Sequence, residues 1–316
     1  MIDSDKTPTL SVIIPTYNRG SILIETIELL LRQNDPANEI IIVDQTQYDP
    51  TDPIFIKLTE LSDEQKINWL KLDQPSIPVA MNKGLLLAKS EYVLFLDDDV
   101  TFTDNFIENH KIAIKQHNSI GHVGQIIQPW QTSIELENYH SDNGLERDLF
   151  FPFNSNRQKQ IHNCMAGNLC VHRQSAIECG GFDLQFSGVA YRFETEFARR
   201  LIKTTDKALL FVPEASLNHL KVPSGGTRDY SQNHLTSLSS VHSEGDYYFA
   251  LMQMKVFPTK FSVFIYIIKR LFGSICAKFY LKRPWWIPVR LIAEFKGLIV
   301  ALKKVTEGPK YITESI

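Results

Sequence analysis

The chain has 316 residues, of which 43% are hydrophobic and 22% are charged, and this composition excludes a disordered, collagen-like or polytopic membrane protein. The net charge of -3 argues against a protein that binds nucleic acid through bulk positive charge, and we expect no nucleic-acid partner. The four cysteines form no Cys-x-x-Cys pair, and the N-terminus lacks the basic and apolar blocks of a secretory signal. These features predict a cytoplasmic protein with reduced thiols.

The first hundred residues predict alternating strands and helices. Continuous apolar runs predict strands at 10–15, 39–44, 67–72 and 91–96, and apolar residues at helical spacing predict helices at 21–33, 53–62 and 77–89. Strands without polar alternation are covered on both faces, which is typical of parallel sheets with helices between the strands. The predicted fold is therefore α/β, a doubly wound, mostly parallel sheet whose ligands bind beyond the carboxyl ends of its strands.

The pattern becomes less regular after residue 99. Helices are predicted at 103–117 and 191–204, and strands at 121–127 and 164–172. Residues 128–162 are polar and rich in turn residues, as is typical of a lid or an acceptor loop. From about residue 245 the chain becomes basic, aromatic and helical in pattern.

Three consecutive acidic residues follow the fourth predicted strand. Because side chains two apart in an extended chain point the same way, Asp97 and Asp99 face one site while Asp98 faces elsewhere. Two adjacent carboxylates repel each other unless a cation lies between them, and oxygen ligands suit Mg²⁺ or Mn²⁺. A solvated acidic turn is the simpler interpretation of the triplet alone, but its place at the ligand edge of a parallel sheet favours the metal site.

Two other strand ends supply groups suited to a nucleotide. Tyr17 follows the first strand and offers a face for stacking. Asp44 ends the second strand and can accept a hydrogen bond from a base or a ribose, although a helix cap or a turn explains this residue equally well.

Several motifs in this order resemble family 2 glycosyltransferases of the GT-A fold. They are PTYNR after the first strand, IVD in the second, NKGL, VLFLDDDV, GNLCVHR, GGFD and HLKVPSGGTR, and the resemblance covers residues 8–230. It implies an inverting, metal-dependent enzyme that uses a nucleotide sugar. It also implies that Asp97 and Asp99 are the DxD pair and that the nucleotide is held by Thr16, Tyr17, Arg19, Asp44, Asn82, Lys83, Asp97 and Arg228.

The resemblance extends to the metal, the acceptor and the base. His219 completes the metal ligands Asp97 and Asp99, because a neutral imidazole is a good ligand, whereas an isolated histidine is more often structural. The acceptor is expected near Gly181, Phe182, Asp183 and Glu196. Alignment of Arg200 with the arginine of the family places the catalytic base at Glu194, with Glu196 as the second candidate; without the resemblance, Glu194 is an ordinary exposed acid of a helix.

The sequence departs from the family pattern in three places. Gln45 stands where a second acidic residue is usual, and Met81 replaces an arginine, for which Lys83 is the available substitute. The usual Glu-Asp pair becomes Glu194-Thr195-Glu196. A nucleotidyltransferase on a similar sheet, and a sugar-nucleotide-binding protein without catalysis, therefore remain as alternatives.

The C-terminal part is strongly basic. Residues 255–304 contain eleven Lys or Arg and one acidic residue, Glu294, for a net charge of +10, whereas the remainder carries -13. Its apolar runs are interrupted by cations before they reach the 18 to 20 residues, roughly, of a spanning helix. Cations beside Trp285 and Trp286 favour an anionic membrane surface over the alternative of a helical bundle packed on protein.

The predicted organisation is a GT-A catalytic domain at 1–245, with a nucleotide-sugar half at 8–127 and an acceptor half at 128–245, followed by an amphipathic helical appendage at 246–316. The expected acceptor is a saccharide, possibly in lipid-linked form, used for cell-surface polysaccharide, and the enzyme is expected on the inner face of the plasma membrane.

Overall fold

A computed structural model describes residues 7–136, 139, 144–226, 235–254 and 260–312. Its N-terminal half alternates strands and helices as the apolar pattern predicts. The elements are β1 (Leu10–Thr16), α1 (Ser21–Leu31), β2 (Glu39–Asp44), α2 (Pro53–Asp63), β3 (Asn68–Lys71), α3 (Ile77–Leu87), β4 (Tyr92–Leu96), β5 (Val100–Thr101), α4 (Phe106–Gln116) and β6 (Gly121–Ile127).

The C-terminal half completes the sheet and adds a group of helices. Its elements are a 3₁₀ turn (Gly144–Glu146), β7 (Lys159–Ile161), β8 (Asn168–His172), α5 (Arg173–Glu178), α6 (Phe193–Thr205), β9 (Leu209–His219), α7 (Glu244–Gln253), α8 (Lys260–Ile275), α9 (Lys278–Lys282), a second 3₁₀ turn (Pro284–Trp286) and α10 (Ile287–Glu307).

The described strands form one mixed sheet in the order β3-β2-β1-β4-β8-β6-β9-β5, with β7 paired to β9. The pairs β1–β2, β1–β4, β2–β3 and β6–β9 are parallel, as the continuous apolar runs predict. The pairs made by β8 with β4 and β6, and those made by β5 and β7 with β9, are antiparallel. A buried strand such as β8 has the same apolar pattern in either direction, so its reversal was not visible in the sequence.

The strand register determines which loops meet at the ligand edge. Thr16 lies opposite Asp44 at the ends of β1 and β2. Leu96 lies opposite Asn168, which brings Gly167 beside Asp97, and Val100 lies opposite His219, which brings β9 to the acidic triplet. Residues from strands far apart in the sequence therefore meet at one edge.

The C-terminal helices pack on the sheet domain through polar contacts. Tyr248 of α7 donates to Asp183 at 2.7 Å, and Tyr247 of the same helix donates to the buried Glu294 of α10 at 2.6 Å. Ile312, beyond α10, donates its backbone N–H to Gly180 at 3.0 Å. The boundary predicted at residue 245 stays a prediction, but these contacts show that the appendage is packed against the catalytic part of the chain.

Candidate active site at the edge of the sheet

A cavity of about 250 Å³ opens at the carboxyl ends of β1 and β4. Several predicted site residues line it together, including Thr16, Tyr17, Arg19, Asp97, Glu194 and His219. They come from β1, from the turn after β4, from the start of α6 and from the end of β9. The cavity therefore lies where a doubly wound sheet is expected to bind its ligand.

Asp97, Asp99 and His219 form a group suited to a divalent cation. One potential ligand atom from each residue lies within 4.8 Å of the others. His219 Nε2 is 3.0 Å from Asp99 Oδ1 and 3.8 Å from Asp97 Oδ2. The 3.0 Å between His219 Nε2 and Asp99 Oδ1 is the length of a hydrogen bond. It is also about the distance between two adjacent ligand atoms of an octahedral ion whose metal–ligand bonds are about 2.1 Å long. Carboxylate oxygens with one imidazole nitrogen fit Mn²⁺ or Mg²⁺.

The three carboxylates of the triplet have different environments. The side chain of Asp97 is 46% exposed, whereas that of Asp99 is fully buried. Burial tends to raise the pKa of Asp99, but the hydrogen bond and charge of His219, with the charge of Arg19, outweigh burial and lower this pKa below its usual value. Asp99 is thus held ionised in a buried position, whereas Asp97 is the most exposed carboxylate of the triplet and lines the cavity.

Asp98 forms an ion pair that the sequence did not reveal. Arg19 Nε lies 2.8 Å from Asp98 Oδ1, and Arg19 Nη1 lies 3.5 Å from Asp99 Oδ2. Burial raises the pKa of Asp98 to about 7, although the charge of Arg19 opposes this shift. Asp98 also lines the cavity, contrary to the expectation that it faces elsewhere. Arg19, predicted to hold the nucleotide, is engaged by the acidic triplet.

Gly167 creates the space that Asp97 occupies. The Gly167 carbonyl accepts a hydrogen bond from the Asp97 N–H at 3.3 Å. A Cβ atom at position 167 would lie 2.3 Å from Asp97 Oδ2, closer than any ordinary contact. The GNLCVHR motif, which begins at this glycine, does not reveal the role in the sequence, because only the antiparallel pairing of β8 with β4 brings Gly167 to the triplet.

Glu194 lies at the cavity wall in the first turn of α6. Its Oε1 accepts the Ala166 N–H at 2.5 Å. The side chain keeps an opening to the cavity, but burial raises the pKa of the carboxyl to about 7, and the negative charge of Asp97 adds to the rise. The Ala166 N–H and the charge of Arg192 act in the opposite direction. A carboxyl group with this pKa is suited to accept a proton near neutral pH.

A loop after β9 lies over the end of β1. The Gly226 N–H donates to the Tyr17 carbonyl at 2.8 Å, and Arg19 donates to the Ser224 carbonyl at 2.9 Å. Gly225 has a φ of +79°, and a Cβ there would lie 2.3 Å from the Asn18 carbonyl oxygen, so this close approach requires glycine. Arg228, predicted to bind phosphate, lies outside the described residues.

Three residues predicted to bind the nucleotide do not line the cavity. Asp44 is fully buried and accepts hydrogen bonds from the Thr46 N–H and from the Trp69 indole. Burial raises the pKa of Asp44 despite these bonds. Asn82 is bonded in both directions to the backbone of Phe182 at 2.8 Å, and Lys83 is partly exposed elsewhere on α3.

The four residues predicted to contact the acceptor also lie away from the cavity lining. Gly181 and Asp183 contact the C-terminal segment, and the ring of Phe182 stacks on Phe197 at 4.2 Å. Glu196 forms a two-pronged ion pair with Arg200, each bond 2.8 Å long. Their packing suggests support of the α6 region, and their role toward an acceptor stays a prediction.

Comparisons with known proteins identify the family of the chain and its fold. The model of a protein family described as glycosyl transferase family 2 matches residues 11–180. The chain is similar to the putative teichuronic acid biosynthesis glycosyltransferase TuaG of Bacillus subtilis, with 35% identity over 29% of this chain and 36% of the relative.

A second relative is the GalNAc(5)-diNAcBac-PP-undecaprenol beta-1,3-glucosyltransferase of Campylobacter jejuni, 31% identical over 45% of each chain. The matches thus span less than half the length of either relative. Among solved structures, the mannosyltransferase PcManGT from Pyrobaculum calidifontis, in complex with GDP-Man and Mn²⁺, has a similar fold. The TM-score is 0.54 at 15% identity, and the likeness covers 97% of this chain and 81% of that chain.

Proposed function

The chain belongs to glycosyl transferase family 2, and we propose that it transfers a sugar from a nucleotide-sugar donor to a hydroxyl group of a saccharide acceptor with inversion at the anomeric carbon. It is a glycosyltransferase by family. The observation that carries the finer proposal is the shared cavity, which Glu194 lines together with Asp97 and His219, two members of the group that Asp99 completes from its buried position.

Glu194 acts as the base in this proposal. Its carboxylate takes the proton of the acceptor hydroxyl while that oxygen attacks the anomeric carbon and the nucleoside diphosphate leaves. A single carboxylate suffices for such a direct displacement, which inverts the configuration. Glu194 is favoured over Glu196, because Glu196 is engaged by Arg200 and does not line the cavity.

Asp97, Asp99 and His219 are the residues that hold the metal. Mn²⁺ or Mg²⁺ bound there would neutralise negative charge that develops on the departing diphosphate. His219 and Arg19 hold Asp99 in its ionised form, and Gly167 leaves room for Asp97. The Mn²⁺ bound in the structurally similar mannosyltransferase supports this assignment.

The cavity also contains groups suited to the nucleotide. Thr16 and Tyr17 lie at the end of β1, and Tyr17 offers a ring face to a base. Backbone groups of the 224–226 loop lie beside them. The position of Thr16 and Tyr17 beside Asp97 and Asp98 in one cavity supports binding of a nucleoside diphosphate between the end of β1 and the acidic triplet.

We further propose that the outer faces of α8 and α10 contact an anionic membrane surface. The inner face of α10 is buried and carries small or charged residues, Arg290, Ala293, Glu294, Gly297 and Ala301. The outer faces of the two helices expose Phe261, Phe264, Phe272, Ile292, Phe295, Ile299 and Leu302. Glu294 is the one acidic residue within the 255–304 segment, but Lys269, Lys303 and Lys304 pair with acids outside it, Glu146, Glu307 and Glu244. The exposed Lys278, Lys282, Arg283 and Lys296 supply the positive charge that this surface offers to anionic lipids.

Two structural findings restrict the kind of membrane contact that the described residues can make. None of the helices in the described part of the chain combines the length and apolar character required to span a bilayer. The cations Arg270 and Arg290 are largely buried in the helical group and cannot serve as surface charge. The exposed apolar side chains are therefore the groups proposed to enter the membrane surface.

A role in the synthesis of cell-surface polysaccharide is supported by the relative from Bacillus subtilis, which is named for teichuronic acid biosynthesis. The relative from Campylobacter jejuni is named for an acceptor linked to PP-undecaprenol, which supports a lipid-linked acceptor.

The proposed activity is tested by a screen of nucleotide sugars. The release of nucleoside diphosphate is measured with Mn²⁺ in the presence of saccharide and lipid-linked acceptors, and the anomeric configuration of the product is read by NMR. We expect release that depends on one donor, on an acceptor and on the metal. Retained configuration in the product, or turnover that chelator leaves unchanged, would refute the mechanism.

A further inference from the structure

A second cavity of about 460 Å³ lies between the helical appendage and the segment that precedes the proposed base. Lys269, Arg270 and Arg290 line it, together with His242, Tyr191 and Tyr280. The described residues that line this cavity include no carboxylate. The cavity wall is thus cationic and aromatic.

The two arginines are oriented by acids behind the cavity wall. Arg270 Nε lies 3.2 Å from Asp246 Oδ2, and Arg290 forms an ion pair with the fully buried Glu294. Arg192 also pairs with Asp246, at 3.1 Å, so three guanidinium groups share two carboxylates and positive charge remains in excess. Each guanidinium has five N–H donors, and these arginines keep further donors for an anion.

Small side chains of α8 and of the turn that follows it leave space for the cavity. Gly273, Ser274 and Ala277 form part of the wall. Large apolar side chains stand beside it in the sequence and are exposed, Phe272 at 60% and Leu281 at 70%. A polar cavity with an apolar rim suits a molecule that has an anionic head and a hydrocarbon chain.

The second cavity is also close in the chain to the reaction centre. Tyr191, in its wall, precedes Glu194 by three residues, and its ring lies 4.7 Å from the guanidinium carbon of Arg192. Val189 and Phe193, on either side of Tyr191, line the first cavity. The 189–193 segment therefore borders both cavities, with Tyr191 on the side of the second and Val189 and Phe193 on the side of the first.

We propose that this cavity binds the phosphate or diphosphate group of a lipid-linked saccharide acceptor, whose sugar then reaches Glu194. Guanidinium groups recognise phosphate oxygens through paired N–H donors. The ammonium group of Lys269 lies 3.1 Å from Glu146, so Arg270 and Arg290 are the groups that would carry the recognition. This inference rests on the proposed glycosyl transfer, since it names the acceptor of that reaction. The phosphate of a bilayer lipid has the same chemistry, and the experiment has to separate the two sources.

The test uses an added negative charge in the cavity wall. A Cβ at position 273 meets no atom within 4 Å, so Gly273→Glu is compatible with the fold and places a carboxylate beside the arginines. Thr306→Glu is the matched control, because it adds the same charge to the exposed side of α10. Position 306 is 16 residues from Arg290, or about 24 Å along a helix.

Binding of inorganic pyrophosphate is measured by calorimetry in chelator, so that metal-dependent binding at the first cavity does not contribute. We expect Gly273→Glu to weaken binding at least tenfold and Thr306→Glu to change it less than twofold. Equal affinities of Gly273→Glu and the parent would overturn the proposal. This measurement needs no turnover and remains valid even if the proposed transfer reaction fails.

A kinetic comparison identifies the source of the phosphate. The KM is measured for two acceptors with the same sugar, a short-chain prenyl diphosphate saccharide and the phosphate-free saccharide. We expect Gly273→Glu to raise the KM for the prenyl diphosphate saccharide at least tenfold relative to the KM for the phosphate-free saccharide. An unchanged ratio, combined with weaker binding of the variant to anionic vesicles, would assign the cavity to a bilayer lipid and overturn its role in acceptor binding.

Discussion

The Nε2 atom of His219 lies 3.0 Å from Oδ1 of Asp99, although 120 residues separate the two in the chain. The contact exists because β5, which follows the acidic triplet, pairs antiparallel with the end of β9. It connects the nucleotide-sugar half of the predicted domain with the acceptor half. The proposed metal site therefore depends on the closure of the sheet as well as on the DDD motif.

The first prediction concerns the base. Glu194→Gln keeps the shape of the side chain and removes its ability to take a proton, so we expect kcat to fall by about 100- to 10,000-fold. Donor affinity, measured by calorimetry, should stay within about twofold of the parent value. A variant that turns over like the parent would exclude Glu194 as the base.

The pH dependence of the parent enzyme follows from the same residue. The pKa of Glu194 is raised to about 7, so the carboxyl is still largely protonated at pH 6, where an ordinary glutamate is ionised. Because the base works in its ionised form, kcat/KM should rise with pH up to about 7 and then level off. A profile already flat from pH 5 would contradict this prediction.

Gly167→Ala should disturb the metal site without a change of ligand. The new Cβ would lie 2.3 Å from Asp97 Oδ2, so the carboxylate has to move away. We expect at least tenfold weaker binding of Mn²⁺, as for Asp97→Asn, with the protein still folded by circular dichroism. The exposed Asp63→Asn is the control and should bind Mn²⁺ like the parent. Parent-like affinity in both site variants would remove Asp97 from the metal ligands.

The contact between Gly181 and Ile312 should contribute to stability. Gly181 has a φ of +60°, and a Cβ there would lie 2.5 Å from Asn82 Oδ1 and 2.9 Å from Ile312. Gly144→Ala, at φ +67° with no atom within 4 Å, measures the backbone cost alone, about 1–2 kcal/mol. Gly181→Ala should cost about 1–3 kcal/mol more in the free energy of unfolding. Equal losses in urea denaturation would show that the C-terminal segment is not packed there.

Asp246 should be a structural link between the appendage and the start of α6. It lies 3.1 Å from Arg192 and 3.2 Å from Arg270 and accepts a hydrogen bond from Tyr266 at 2.6 Å. Asp246→Asn removes a buried charge from two arginines and should lower the free energy of unfolding by about 3–5 kcal/mol. Lys303→Gln, which removes an exposed ion pair, should leave denaturant unfolding unchanged.

The membrane proposal is tested with side chains rather than with a truncation, because the appendage is packed on the rest of the chain. Phe264, Phe272 and Trp285 are 57%, 60% and 67% exposed. Their combined replacement by serine should reduce flotation with anionic vesicles at least tenfold, since each aromatic side chain loses its burial in the interface. Ile56→Ser, on α2, is the control. Equal flotation of the triple variant and the parent would exclude this surface.

Much of the fold was predictable from local pattern. The strands 10–15 and 39–44 and the helices 21–33 and 77–89 were found within two residues, because buried strands and amphipathic helices have clear apolar patterns. The predicted GT-A fold class and family membership are confirmed. The sequence did not show the reversal of β8 or the short strands β5 and β7, whose existence depends on their partners.

The candidate site was predictable in part. The acidic triplet, Glu194 and His219 were identified from motifs, and in the structure Asp97, Asp98, Glu194 and His219 line one cavity while Asp99 is buried beside His219. Asp44, Asn82 and the residues near Gly181 were assigned to ligands from the same motifs, but they lie in packed surroundings. A motif identifies residues that are characteristic of a family. It does not show whether a given side chain faces the cavity or packs behind the cavity wall.

The sequence by itself determined the periodic elements, the acidic triplet and the concentration of positive charge in residues 255–304, because these depend on residues close together in the chain. Only the tertiary structure decided that Asp98 pairs with Arg19, that Gly167 makes room for Asp97, and that the large apolar residues of α10 face outward while Glu294 is buried. These features arise from contacts between distant segments, whose geometry is set by strand register and helix packing rather than by local preference.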